Sequence, residues 1–125
     1  VSTQVNQWFM WGIKVPYEWH DEWEKKNPDK GEFYPYFESF MDDSAFTSGV
    51  NHKEGIFCLF DGRDGKYIII GRVFQKTRDG DLLGEQKPFS PPKLTELEKE
   101  LIQTSVMRNF GLEGAFDYWF VTQLR

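Results

Sequence analysis

The chain has 125 residues, 39% hydrophobic and 28% charged, with a net charge of −5. That length predicts one domain with a real core, and the apolar content excludes a disordered chain. No stretch approaches the roughly 20 apolar residues of a membrane span, and the lone Cys58 excludes an internal disulfide.

The charge is unevenly placed. Residues 1–62 hold 11 acids against 5 lysines, whereas residues 63–125 hold 9 acids against 10 bases. Without lysine or arginine clusters, nucleic acid is an unfavoured partner. A single cysteine and the lack of a basic leader followed by an apolar run predict a reducing, cytoplasmic compartment.

Along the chain, Trp8 to Val15 reads as a strand of rings and β-branched residues. Gly12 within it marks a bulge or a close approach by another backbone. Pro16 stands where a helix would start, and residues 17–27 read as a short helix. Trp19 and Trp23 are four apart and share one face. Acids lead that helix and Lys25–Lys26 trail it, as the helix dipole favours. Asn27-Pro28 ends it.

Residues 29–55 are harder to assign. Tyr36, Phe37 and Phe40 have helical spacing and predict a turn or two before Asp42. A hairpin follows, with one strand beginning at Ile56, a loop at residues 61–65, and a second strand from Lys66 to Lys76. Ile68, Ile69 and Ile70 do not alternate with polar residues, which predicts a strand covered on both faces. A second turn falls at residues 78–81, and an extended connector runs over 82–93.

Thr95 and Glu98 form a capping box, which starts a helix that Gly111 stops. That helix carries two apolar ladders, Leu97–Leu101 and Ile102–Val106–Phe110. The expectation is packing on the hairpin through Leu97, Leu101 and Phe110, with the hairpin at the centre of the sheet. Residues 115–124 read as a last strand. The sum is an α+β fold. A mostly antiparallel sheet of about four strands carries the later helix on one face, and a short Trp-bearing helix lies near the N-terminus. The element order resembles ferredoxin-like topology, with a ring-rich insert as the departure.

The most distinctive stretch, residues 17–43, interleaves nine carboxylates and three lysines with eight aromatic rings. It predicts a folded element with rings inside and acids outside. The candidate binding residues are Glu18, Trp19, Asp21, Glu22, Trp23, Glu38, Asp42 and Asp43. The two tryptophans read as core more than as contacts, because a short helix needs an apolar face.

Other constellations favour structural readings. Asp61 to Gly65 has turn chemistry, and lacks both the terminal glutamate of a calcium loop and the Gly-Lys-Ser/Thr of a P-loop. Glu38 with Asp42 and Asp43 could join in a magnesium site, which uses one or two carboxylates, but acid pairs at helix ends are common on surfaces. No metal and no cofactor is expected. Cys58, between Phe57 and Leu59, reads as a buried inert thiol.

The leading functional expectation is a small acidic binding module. It would regulate or inhibit a larger partner by presenting the acidic, ring-rich segment to a basic protein surface. Mimicry of nucleic-acid charge is a sharper form of that reading. In size, acidity and ring content the chain resembles small accessory or inhibitory proteins made by bacteriophages. The alternative is a small hydrolase or nucleotide-processing enzyme using His20 or His52 with nearby carboxylates. A homo-oligomer is a third possibility, with rings at the strand ends meeting a symmetry mate.

Overall fold

The computed structural model describes residues 5–41, 53–61, 63–77 and 92–124. Asp42, Asp43, His52, the turn at 78–81 and most of the connector lie outside them. Among the described residues four strands and three α-helices follow in the order β1 (Val5–Pro16), α1 (Trp19–Lys26), α2 (Phe33–Glu38), β2 (Phe57–Phe60), β3 (Tyr67–Thr77), α3 (Glu96–Phe110) and β4 (Asp117–Leu124). The sheet order is β2-β3-β1-β4 and every pairing is antiparallel. This is a split β–α–β arrangement within an α+β fold, with β3 lying between β1 and β2.

Three local expectations change. Pro16 is the last residue of β1, opposite Tyr67, and not the first residue of a helix. The hairpin does not form the centre by itself: β3 is central, but β2 is a four-residue edge strand, and the other central strand is β1. Helix α3 docks through Ile102, Ser105, Val106 and Phe110. Leu97 is 65% exposed and Leu101 60% exposed, so that ladder faces outward. The helix carries two apolar ladders, and the ladder that meets the sheet is fixed by tertiary docking.

Other expectations hold. The Thr95–Glu98 capping box forms, and Gly111 takes the left-handed conformation at φ 69°. The isoleucine run is buried on both faces. Ile68 and Ile70 join the helix-side core, and Ile69 joins a second apolar cluster. Gly12 lies directly opposite Gly71. A Cβ on Gly12 would stand 2.5 Å from the Ile70 carbonyl oxygen, and one on Gly71 would stand 2.1 Å from that of Trp11. The two central strands therefore approach closely at this pair because neither residue has a side chain.

The helix-side core joins Trp11 and Ile13 of β1, Cys58 and Phe60 of β2, and Ile68 and Ile70 of β3 to the inner faces of all three helices. Its packing is largely ring on ring. Phe37 lies 4.0 Å from Phe33, 4.9 Å from Trp23 and 4.7 Å from Phe110, centroid to centroid. Such pairs contribute about 0.5–1.5 kcal/mol beyond their buried area.

The opposite face buries Trp8, Met10, Phe57, Leu59, Ile69 and Val73. Part of its cover comes from the sheet itself. Gln123 sits opposite Asn6, whereas Phe60 lines up through Ile68 with Val15. On a flat sheet those two rows would be about 30 Å apart at 3.4 Å per residue. Yet Gln123 Nε2 donates to the Phe60 carbonyl at 2.7 Å, and the Trp8 and Phe57 rings stack at 5.0 Å. The sheet is open in its hydrogen bonding but coils over this face until its two edge strands meet. A register shift between Phe9 and Met10 helps the bend, because bulges increase local twist.

Candidate functional site

Helix α1 is built to hold rings inward and acids outward. Trp23 is 2% exposed and Trp19 is half-buried against the helix-side core. Glu18, Asp21 and Glu22 are exposed. Their i, i+3, i+4 spacing puts them on one surface of the first turn. Three like charges there would repel one another, but the positive end of the helix dipole offsets that cost. Asn27 closes the helix, its side chain donating to the Trp23 carbonyl at 2.9 Å.

The rest of the segment continues the pattern. Asp29, Glu32 and Glu38 are exposed, while Phe33 and Phe37 of α2 are buried. Glu24 is half-buried and ties the two helices together, accepting from the Phe33 amide at 2.8 Å. Among the described residues Glu22 pairs with Lys25 at 3.8 Å, and Glu18, Asp29, Glu32 and Glu38 make no ion pair.

A polar cluster borders the acidic turn. His20 Nδ1 donates to the Tyr17 carbonyl at 2.6 Å, and its Nε2 lies 3.2 Å from Asp21. The imidazole also packs on Phe33 with centroids 4.8 Å apart. Nδ1 is thus tied to the backbone, and Nε2 faces the exposed Asp21 carboxylate. The Tyr17 and Tyr34 hydroxyls meet at 3.1 Å. The Tyr34 bond, then burial and the nearby Asp61 and Asp21 charges, push the Tyr17 hydroxyl up to about 12. Tyr34 stacks on Phe60 with its ring half exposed. Asp61 is buried, and its carboxylate accepts from the Asp64 and Lys66 amides at 3.1 and 3.0 Å, the turn role expected of it.

Tyr17, Tyr34 and Asp61 are thus neighbours of the acidic turn that sequence spacing did not single out. They come from β1–α1, α2 and the hairpin, and only the fold brings them together. Glu38 lies on α2, apart from the first turn of α1.

A second polar cluster also escaped the sequence. Glu54 adopts a left-handed backbone at φ 58°. Its carboxylate accepts from Ser105 at 3.1 Å, from Arg108 at 3.0 Å, and from Asn109. These donors, Asn109 foremost, hold it well below the usual carboxylate range, at about 2. Tyr36 donates to the Asn109 carbonyl at 2.8 Å, so α2 and the Lys53–Gly55 turn both fasten onto the last turns of α3. Every member bonds to another member, as in a structural clasp. Cys58 is buried and its thiol is pushed up by desolvation, consistent with an inert core residue.

Among the described residues no group of three or more acids, histidines and cysteines could hold a metal, and no helix is long and apolar enough to cross a membrane. In comparison with known proteins, no family model, no curated protein and no solved structure matches the chain.

Proposed function

We propose that this protein is a binding module that presents its acidic α1–α2 surface to a basic segment of another protein, and regulates that partner by occupying it. One observation carries the reading. Six exposed carboxylates, Glu18, Asp21, Glu22, Asp29, Glu32 and Glu38, stand on a short segment whose rings, Tyr34 apart, pack into the core. Interlocked rings fix the acids in place, which lowers the ordering cost of binding. The half-exposed Tyr34 ring beside the acidic turn supplies an apolar contact of the kind interfaces favour. Trp23 supports this surface from beneath and is not itself a contact.

Affinity capture from the native source, with Glu18, Asp21 and Glu22 changed together to lysine in a parallel bait, tests the reading. The wild-type chain should retain a basic partner that elutes as salt rises, because charges beyond a Debye length of about 8 Å are screened at physiological ionic strength. The reversed chain should fold and lose that partner. A partner held equally by both baits at low salt would exclude this surface.

A further inference from the structure

We infer that the outward face of α3, with the groove beside its last turns, is a docking surface for one amphipathic α-helix of a partner protein, whose apolar stripe is flanked by lysine or arginine. The inference does not rest on the acidic α1–α2 face, which uses other residues. Helix α3 buries Ile102, Ser105, Val106 and Phe110. Its other side carries Leu97 and Leu101, 65% and 60% exposed, and the exposed Met107. A single exposed leucine needs no explanation. Here three large apolar side chains lie on one side of a helix and lead into an apolar groove, the arrangement that marks an interaction site.

Spacing identifies the occupant as a helix. Leu97, Leu101, Thr104 and Arg108 follow one another at intervals of four, three and four residues, which makes one seam along the helix. Helices that pack side by side use this spacing, each side chain of one entering a hole between four of the other. An extended segment would find no backbone donors or acceptors here, because those of a helix interior bond within it. Thr104 also lines a groove of about 460 Å³, whose apolar lining is Met107, Leu112 and Phe116. Seam and groove therefore run into one another. At 15 residues α3 is about 22 Å long, enough to meet three to four turns of a partner helix. Met107 suits such a surface because its flexible side chain adapts to what it meets.

Charge decides which helix. Of the acids on α3, Glu96 pairs with Lys99 at 3.6 Å and Glu98 is occupied in the capping box. The other cation of the helix, Arg108, pairs with Glu54 at 3.0 Å. Glu100 on α3 and Glu113 on the groove rim make no ion pair among the described residues. The surface thus carries two unpaired carboxylates, while both cations of α3 are already paired. That balance suits a partner with lysine or arginine beside its apolar stripe. A second copy fits less well, because it would bring the same unpaired acids and a net charge of −5 to the contact.

A synthetic peptide of about 18 residues tests the inference, with leucine at heptad positions a and d, lysine at e and g, and alanine elsewhere. Fluorescence anisotropy of the labelled peptide should show saturable, one-to-one binding to the full chain. The assay is repeated with Glu18, Asp21 and Glu22 all changed to lysine, so that the α1–α2 face cannot supply the signal, and binding should persist. In both backgrounds Leu97→Ala with Leu101→Ala should weaken binding at least about tenfold. The circular dichroism spectrum should be unchanged, because both side chains are exposed. Glu100→Gln with Glu113→Gln should weaken binding and flatten its dependence on salt. A peptide of the same composition with its leucines out of heptad spacing should bind at least about tenfold more weakly. Absence of saturable binding, equal affinity after the leucine changes, or equal affinity for the respaced peptide would overturn the inference. So would a wild-type dimer in sedimentation that the leucine changes dissociate, which would assign the seam to a second copy.

Discussion

Replacing Ile102 and Leu101 separately with alanine measures how α3 sits on the sheet. The two positions are adjacent, so their side chains leave the helix about 100° apart. Ile102 is 1% exposed and Leu101 60% exposed. Ile102→Ala removes three buried carbons, about 2.4 kcal/mol of transfer free energy at 0.8 kcal/mol each, and leaves a cavity that adds to the loss. The better helix propensity of alanine returns a few tenths of a kcal/mol. The net cost is about 3 kcal/mol. Leu101→Ala loses less than half of its carbons' transfer energy and opens no cavity, for a net cost below about 1 kcal/mol. With an unfolding entropy of about 2.1 cal/mol/K per residue, each kcal/mol lowers the melting temperature of this 125-residue chain by about 4 °C. Thermal denaturation followed by circular dichroism should show a drop near 12 °C for Ile102→Ala and under about 4 °C for Leu101→Ala. Equal drops, or a larger one at Leu101, would refute the docking and place the helix one residue further round its axis.

Gly71→Ala should destabilise by at least about 3 kcal/mol, because the new methyl would stand 2.1 Å from the Trp11 carbonyl oxygen in the middle of the sheet. Gly12→Ala, at 2.5 Å from its nearest atom, should cost less, and comparative denaturant titration ranks the two. Glu54→Gln should lower stability at neutral pH by a constant amount. A carboxyl group depressed from 4.5 to about 2 contributes fully above pH 4.5 and loses its contribution as pH falls towards 2, so the wild-type advantage should fade within that window in pH-resolved unfolding. Ultraviolet titration should find one tyrosine ionising near 12, and Tyr34→Phe should bring it back towards 10 by removing the hydroxyl that raises it most.

What the sequence disclosed was mostly local. The Thr95–Glu98 box, the Gly111 stop and the hairpin turn each depend on residues within a few positions of one another. Gly12 was legible as a bulge or a close approach, because a lone glycine among bulky strand residues has few other uses, and the facing Gly71 selects the second. The interleaving of rings and acids over residues 17–41 likewise translated into an inner and an outer face. What stayed hidden depends on residues far apart in the chain. Nothing near Leu101 says that Ile102 docks instead, and nothing near Gln123 says that it bonds to Phe60. The neighbourhood of Tyr17, Tyr34 and Asp61 was unreadable for the same reason.

The sheet topology also constrains how this chain acquires its structure. Strand β1 is central, yet its two partners come much later in the sequence, and Trp8 donates to Gln123 across a separation of 115 residues. Loop closure over such distances must be achieved before the pairing returns any energy, so folding should be slow for a domain of this size. While β4 is still emerging from the ribosome, Trp8, Met10 and Trp11 have only β3 to pair with, and an apolar strand edge stays open to other nascent chains. Pairing of β4 with β1, more than the formation of any helix, is the step that covers this apolar edge.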